Sequence, residues 1–377
     1  MSDANDMSND MSKELVDQVR QAIDKQQPLL IEGNGTKRFL GRRSDAAADA
    51  QKISVSGHSG ILTYEPVELV MTARAGTTLG EIDAVLNENQ QMLACDPARF
   101  GGQATIGGSL AANQSGPARP WLGSLRDHVL GVGLINGKAE HLQFGGQVMK
   151  NVAGYDVSRL QAGAMGTLGV MTEVSFKVLP KPALTATLCQ SMSADDAVAI
   201  MNRLAGTPKP ISGAAWVDDK LYIRLSGACR AVESTSEQWQ KEWELEVLDT
   251  DKADAFWQQL RDQQLAFFNE TEKPLWRFSI KSTAPALPND SQTEQSLLID
   301  WCGSQRWLSG DYSHSELQEW ATQQGGEVSL YRDAQNGEPA KDVFYQADPV
   351  VQRIQSNIKQ SFDPANIFNN GRLYAWM

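Results

Sequence analysis

Two glycine loops are the residues of this chain best suited to chemistry. The first, "IEGNGTKRFLG", follows an extended segment at residues 29–32. The second, "QATIGGSLAANQSGPA" from Gln103 to Ala118, runs sixteen residues without one Asp, Glu, Lys or Arg in a chain that is 21% charged. Backbone N–H groups bind phosphate where no Cβ blocks approach and no carboxylate repels the anion, and the second loop meets both conditions. Ile106 and Leu110 give it apolar anchors, and its Ser and Asn residues are set as turn closers, which separates it from a flexible linker. Two such loops, about seventy residues apart, imply a ligand with two phosphates held between two parts of one domain, a dinucleotide being the natural candidate. The first loop fails as a Rossmann fingerprint, because Arg38 stands at the third glycine position and no amphipathic helix follows at once.

The elements that must hold these loops are legible from periodicity. Residues 13–26 carry apolar positions at helical spacing and end before Pro28, after which "LLIEG" reads as a strand. "ELVMTARAGTT" reads as a strand, and Thr78 then caps a helix with Leu79, Ile82, Val85 and Leu86 on one face. "HVLGVGLING" and "KAEHLQFGG" form a predicted hairpin with Asn136-Gly137 as its turn. A helix near "YDVSRLQAG" leads into the strand "GVMTEVSFKVLP", and "PKP" breaks the chain at a domain boundary near residue 180. Beyond it, predicted strands and helices alternate as expected for helices packed on an antiparallel sheet, and the tail "FDPANIFNNGRLY" follows a last helix, "PVVQRIQSNIKQ". Glycine crowds the first module and tryptophan the second, where 8 of the 10 tryptophans lie between Trp216 and Trp320. These tryptophans suit an aromatic core, and as interface-type residues they also mark that module as the expected partner contact.

Composition excludes several function classes. The 377 residues are 41% hydrophobic with a net charge of -12, enough for two domains and ill suited to nucleic acid. No apolar run is long enough to span a bilayer, and "MSDANDMSNDMSKE" reads as a disordered acidic lead over residues 1–12, without a signal peptide. Cys95, Cys189, Cys229 and Cys302, and likewise His58, His128, His141 and His314, are too scattered for a zinc, iron–sulfur or histidine-pair site, so no metal is expected.

The stretches "ARAGTTLGEIDAVL", "ATIGGSLAANQSG" and "GAMGTLGVMTEVSFKVLPKP", in this order, resemble the FAD-binding domain of the vanillyl-alcohol oxidase/p-cresol methylhydroxylase superfamily. The tail is similar to that family's usual ending, with Asn370 where proline is common. Within the superfamily, the length and "NVAGYDVSRLQAGAMGTLG" are most similar to the FAD-binding subunits of bacterial glycolate oxidases. The resemblance implies an α+β fold: a two-part FAD-binding domain of the p-cresol methylhydroxylase type over 13–180, an α+β cap of antiparallel sheet plus helices over 181–340, and a C-terminal return over 341–377.

Carried over residue by residue, Gly33, Asn34, Gly35, Thr36 and Lys37 match the first phosphate loop. Thr105, Ile106, Gly107, Gly108, Ala112, Asn113, Ser115 and Gly116 match the second, and the backbone amides of both are implied to carry the FAD pyrophosphate. Gly163, Thr167, Gly169 and Val170 match the segment that meets the flavin nucleus. Arg119 and Arg126 either counter phosphate charge or are ordinary loop arginines. Residues 33–41 and 101–120 contain no His or Cys, so the FAD is expected to be noncovalent. Related 2-hydroxy acid dehydrogenases carry a histidine-rich metal motif on the cap, whereas only His314 lies beyond residue 141 here. Arg277, Arg332 and Arg372 remain as candidates to pair with a substrate carboxylate, each with a structural alternative.

The activity implied is oxidation of glycolate, or another small 2-hydroxy acid, to the 2-oxo acid, with electrons passed to partner subunits. The partners implied are a homologous flavin subunit and an iron–sulfur subunit, in the cytoplasm or peripheral on the inner face of the cytoplasmic membrane. An FAD-carrying scaffold and electron relay, or a stand-alone dehydrogenase, are the alternatives.

Overall fold

The computed structural model describes residues 9–42, 49–146, 155–269, 273–286, 296–333, 343–344 and 348–377. Residues 1–8 of the expected lead and "VMKNVAG", which contains the start of one resembling motif, lie outside them. Residues 9–11 of that lead are described, and the Met11 amide donates to His58 Nδ1 at 3.0 Å as helix α1 (Ser12–Lys25) begins. Its buried residues Leu15, Val19 and Ala22 lie on one helical face, as the periodicity requires.

Strand β1 (Leu29–Glu32) pairs in parallel with β2 (Gln51–Ser54). Strands β3 (Ile61–Glu65) and β4 (Val70–Arg74) precede α2 (Leu79–Glu88). Thr78 and Glu81 close a reciprocal capping box at its start, and Leu79, Ile82 and Leu86 are fully buried. After β5 (Gln91–Leu93) come α3 (Ile106–Ala112), the single turns α4 (Arg119–Leu122) and α5 (Leu125–His128), β6 (Val129–Ile135), β7 (His141–Gly145), the turn α6 (Val157–Leu160) and β8 (Val170–Pro180). Five strands of this part run in the order β3-β4-β8-β6-β7 with β8 at the centre, and β5 pairs with the far end of β8. Central position explains why both faces of β8 are covered, Met171 and Ser175 included, where alternation alone predicts one buried face. The β6–β7 hairpin forms with Ile135 opposite His141, so its loop has five residues and is not the two-residue Asn-Gly turn. Asn136 Oδ1 accepts from the Lys138 and Glu140 amides, and Gly137 is free of a Cβ that would stand 2.7 Å from Asp363 Cα.

A second, eight-stranded antiparallel sheet follows: β9 (Leu184–Ser191), α7 (Ala194–Ala205), β10 (Ile211–Val217), β11 (Lys220–Gly227), α8 (Cys229–Trp243), β12 (Glu246–Val247), α9 (Thr250–Arg261), α10 (Ala266–Asn269), β13 (Leu275–Ser279), β14 (Leu297–Asp300), β15 (Gln305–Ser309), α11 (His314–Gln323) and β16 (Glu327–Arg332). Its strand order is β12-β9-β11-β10-β14-β15-β13-β16. Helices and antiparallel sheets together make the fold α+β. One face of β13 and β15 buries Trp276, Phe278 and Leu308 against α11. The opposite face gives Leu275, Trp307 and Tyr331 to a cluster that also holds Phe39, Leu40, Ala112 and Met165 of the first part. Of the eight tryptophans between Trp216 and Trp320, six are buried and Trp243 and Trp320 are half-buried. The aromatic-core role is the one that most of these rings fill, in the sheet's own cores. Helix α12 (Pro349–Phe362) then returns the chain to β1, where Leu29 bridges Phe368.

Candidate functional site

The first glycine loop leaves β1 at Glu32. In a parallel pair alternate amides point away from the partner strand, and those of Leu29 and Ile31 donate to Ile367 O and Asn369 Oδ1. The next in that row, Gly33, and the amides of Asn34, Gly35, Thr36 and Lys37 after it, donate to no acceptor among the described residues. Gly35, at φ +71°, turns the loop. Asn34 Nδ2 donates to Gln103 O at 2.9 Å, tying this loop to the second. The Glu32 carboxylate is neutralised by Arg38, at 2.7 Å, and by Lys52.

The second loop plays a different part from the one the sequence implies. Amides of Ile106 and Gly107 donate to Thr77 O and Ala75 O, that of Gly108 to the capping Thr105 Oγ1, and that of Ser109 to Thr105 O. These donors are therefore engaged within the protein. Gly107 is required by packing, since a Cβ there would stand 2.7 Å from Ala75 Cβ. Gly33 and Gly108 both border Thr105 Oγ1, which a Cβ would approach to 2.5 Å and 2.9 Å. Small residues thus keep α3 close to the first loop while leaving a groove between them.

The third wall comes from both ends of the distant sequence. Gly163 and Met165 amides donate to Leu110 O and Ala111 O at the end of α3. Asn369 accepts from the Ile31 amide and donates to Met165 O at 2.6 Å. Behind it, Lys359 Nζ donates to Thr167 O, Phe368 O and Asp363 Oδ2, at 2.9, 2.8 and 2.6 Å. Asp363 in turn accepts from the amides of Ile367 and Phe368, so this buried pair is fully hydrogen-bonded.

Together these walls enclose a cleft of about 430 Å³. Of the sequence-derived candidates, Gly33, Asn34, Gly35, Thr36, Lys37, Thr105, Gly107, Gly108, Ala112, Gly169 and Arg372 line it. Ile106 and Val170 are fully buried in the cores, Thr167 is buried with its hydroxyl on Ala164 O, and Gly163 is held on α3. Asn113 caps α3 in the left-handed region; Gly116 donates to Asp96 O and accepts from Trp301 Nε1, outside the cleft with Ser115. Sequence reasoning missed Arg42, Met165, Gly166, Met171, Asn369 and Asn370, which also line it. Met165, Gly166 and Met171 lie in the quoted motif "GAMGTLGVMTEVSFKVLPKP" and Asn369 and Asn370 in the tail motif, so a signal existed for all but Arg42.

The lining fits a ligand with a diphosphate. Five successive amides lack acceptors, the one lining carboxylate is doubly neutralised, and Asn370 Oδ1 is buried without a partner. Lys37 Nζ adds a cation, 3.5 Å from both Thr36 Oγ1 and Ser109 Oγ, and burial pushes its pKa from 10.5 to about 8. No histidine or cysteine lines the cleft. Among the described residues no cluster of three metal-ligating side chains occurs, and no helix is long and apolar enough to cross a membrane.

The other arginine candidates are held by separate partners. Arg372 donates to Arg38 O at 2.8 Å at the edge of the cleft. Arg332 is held by Phe268 O and Gln263 Oε1 at 3.0 and 3.1 Å. Arg277 lies on β13, its Nε donating to Gln305 Oε1 at 2.7 Å. Arg119 and Arg126 are exposed, on α4 and α5.

A family profile described as "FAD binding domain" matches residues 10–145. The glycolate oxidase subunit GlcE of Escherichia coli K12 is 42% identical over 97% of this chain and 98% of its own. The glycolate oxidase subunit GlcD of Bacillus subtilis 168 is 38% identical over 37% of this chain and 29% of its own. Among solved structures, an alkyldihydroxyacetonephosphate synthase shares the fold with a TM-score of 0.66 at 12% identity, over 94% of this chain and 74% of that one. The groove between two glycine loops and the near full-length similarity agree, and the chain belongs to the family of the glycolate oxidase subunit GlcE.

Proposed function

We propose that this chain is the FAD-binding subunit of a multisubunit oxidase of glycolate or a similar 2-hydroxy acid, with the cofactor held noncovalently. The observation that carries the reading is the row of unpaired amides from Gly33 to Lys37 facing Gly108 across the cleft, in a chain 42% identical to GlcE. Gly33 to Lys37 would receive the diphosphate, Lys37 would offset its charge, and Gly108 and Ala112 would form the opposite wall. Bound FAD supplies two-electron acceptance; the protein positions it and keeps water from it. The absence of histidine and cysteine from the lining supports noncovalent binding.

Oxidation of glycolate to glyoxylate releases two electrons and two protons, and the electrons leave through partners: a homologous flavin subunit and an iron–sulfur subunit. A second reading, an FAD-carrying scaffold whose partner performs the oxidation, is favoured by the lack of a histidine base in the cleft. Anaerobic addition of glycolate to the purified FAD-loaded chain separates the two. Bleaching of the flavin absorbance supports oxidation here; bleaching only after co-expression with the homologous flavin subunit supports the scaffold. Failure to retain flavin, alone or in the complex, would refute both.

A further inference from the structure

We infer that Arg119 and Arg277, gathered around Trp301, form a binding site for a small carboxylate at the cap-sheet face that looks toward the cleft. The inference rests on the reading of the chain as a 2-hydroxy acid oxidoreductase subunit and assigns the group that would recognise the acid. The Arg119 guanidinium stands 4.4 Å from the centroid of the Trp301 ring, and that of Arg277 5.1 Å from the same centroid. Neither guanidinium forms an ion pair with a carboxylate among the described residues. Two cations brought to one indole repel each other, and that cost is relieved by an anion. Desolvation lowers the affinity of Arg277 for its own proton, Tyr331, Glu327 and Asp300 raise it, and the nearby Arg119 cation lowers it.

The ring they share is held firmly. Trp301 is 3% exposed, its Nε1 donates to Gly116 O at 2.9 Å, and its amide donates to Asp300 Oδ1 at 2.7 Å. Its backbone sits at φ +52°, a conformation a bulky residue adopts only when its surroundings impose it. Arg277 is oriented by Gln305 through Nε, which leaves both Nη groups for a fork-like contact.

Its register places it opposite Trp307, whose ring lies 5.8 Å away, and Trp307 packs on Tyr331 and Tyr331 on Phe39. Phe39 adjoins Leu40, a cleft residue, so the arginine shares a sheet face with the aromatic wall that backs the cleft. Arg119, by contrast, is exposed and gives the site an entrance from solvent.

The test uses oxalate, a small dicarboxylate with no hydrogen on carbon to lose, titrated into the full-length FAD-loaded chain by calorimetry. Oxalate should bind, and Arg119→Gln and Arg277→Gln should each weaken it by roughly tenfold or more, the loss expected when a charge-assisted contact is removed. Arg230→Gln, at an exposed position near the start of α8, should bind as the wild type does. Arg119 is exposed, so its variant keeps the test alive should Arg277→Gln fail to fold. No oxalate binding, or binding indifferent to both substitutions, overturns the proposal. Arginine-dependent oxalate binding with no flavin bleaching by glycolate, in the isolated chain and in the complex alike, leaves the anion site standing and removes the oxidoreductase reading; bleaching by glycolate with oxalate binding indifferent to both substitutions does the reverse.

Discussion

Replacing Lys37 by Met should abolish a pH dependence of FAD affinity that the wild-type chain displays. Burial holds the Lys37 ammonium at a pKa of about 8, against its ordinary 10.5. That difference corresponds to roughly 3 kcal/mol against the charged form, burial outweighing the attraction of Asp262. A bound diphosphate raises the pKa again, so above pH 8 loading the cofactor takes up a proton. Affinity therefore falls with rising pH, by up to about 30-fold over 1.5 units above the free-chain pKa.

Stability of the cofactor-free chain moves the other way. Its folded pKa lies below the unfolded one, so the burial cost is present below pH 8 and disappears as pH rises toward 10.5. Quenching of flavin fluorescence on titrating the apo chain, and denaturant unfolding of that chain, read the two trends. Parallel pH profiles for wild type and Lys37→Met in both assays would show that the ammonium does not meet the diphosphate.

Gly108→Val should fold with wild-type circular dichroism yet lose its yellow colour, because a Cβ there already presses within 2.9 Å of Thr105 Oγ1 and the added methyls fill the groove. Stoichiometric flavin on that variant would place the ligand elsewhere. Lys359→Met strands the fully buried Asp363 carboxylate and two carbonyls, and should cost about 3–5 kcal/mol by denaturant unfolding; an unchanged midpoint would mean that the pair is replaceable by packing. Acid precipitation should release all flavin into the supernatant, and fluorescence remaining on the protein band of a denaturing gel would contradict noncovalent binding.

Much of the scaffold was legible because it follows local rules. The capped helix from Leu79, the strand from Val170 and the position of the hairpin at Asn136 needed only periodicity, a capping residue and a turn signal. Free backbone amides, the reason for singling out both glycine loops, occur in the first and not in the Ile106–Ser109 stretch of the second, and composition does not separate the two roles. Whether the Gly107 amide is free depends on Ala75 O, a strand end some thirty residues earlier, and nothing in "TIGG" reports that partner. The five-residue hairpin loop likewise answers to α12, whose Asp363 leaves no room for a side chain at Gly137. The Lys359–Asp363 pair looks in sequence like any surface i,i+4 pair, and only its burial reveals it as the fastener of two cleft walls.

The closure of the cleft by Asn369 against Ile31 and Met165 has a consequence for how the protein is made. One wall is synthesised some 330 residues before its opposite number. At about 5–20 residues per second the ribosome takes on the order of half a minute to join them. Throughout that interval β1 has no partner for its Leu29 and Ile31 amides, and the glycine loop after it has no fixed geometry. Cofactor loading thus waits for Asn369 to be made and docked, and flavin supply is not felt by the nascent chain before that point.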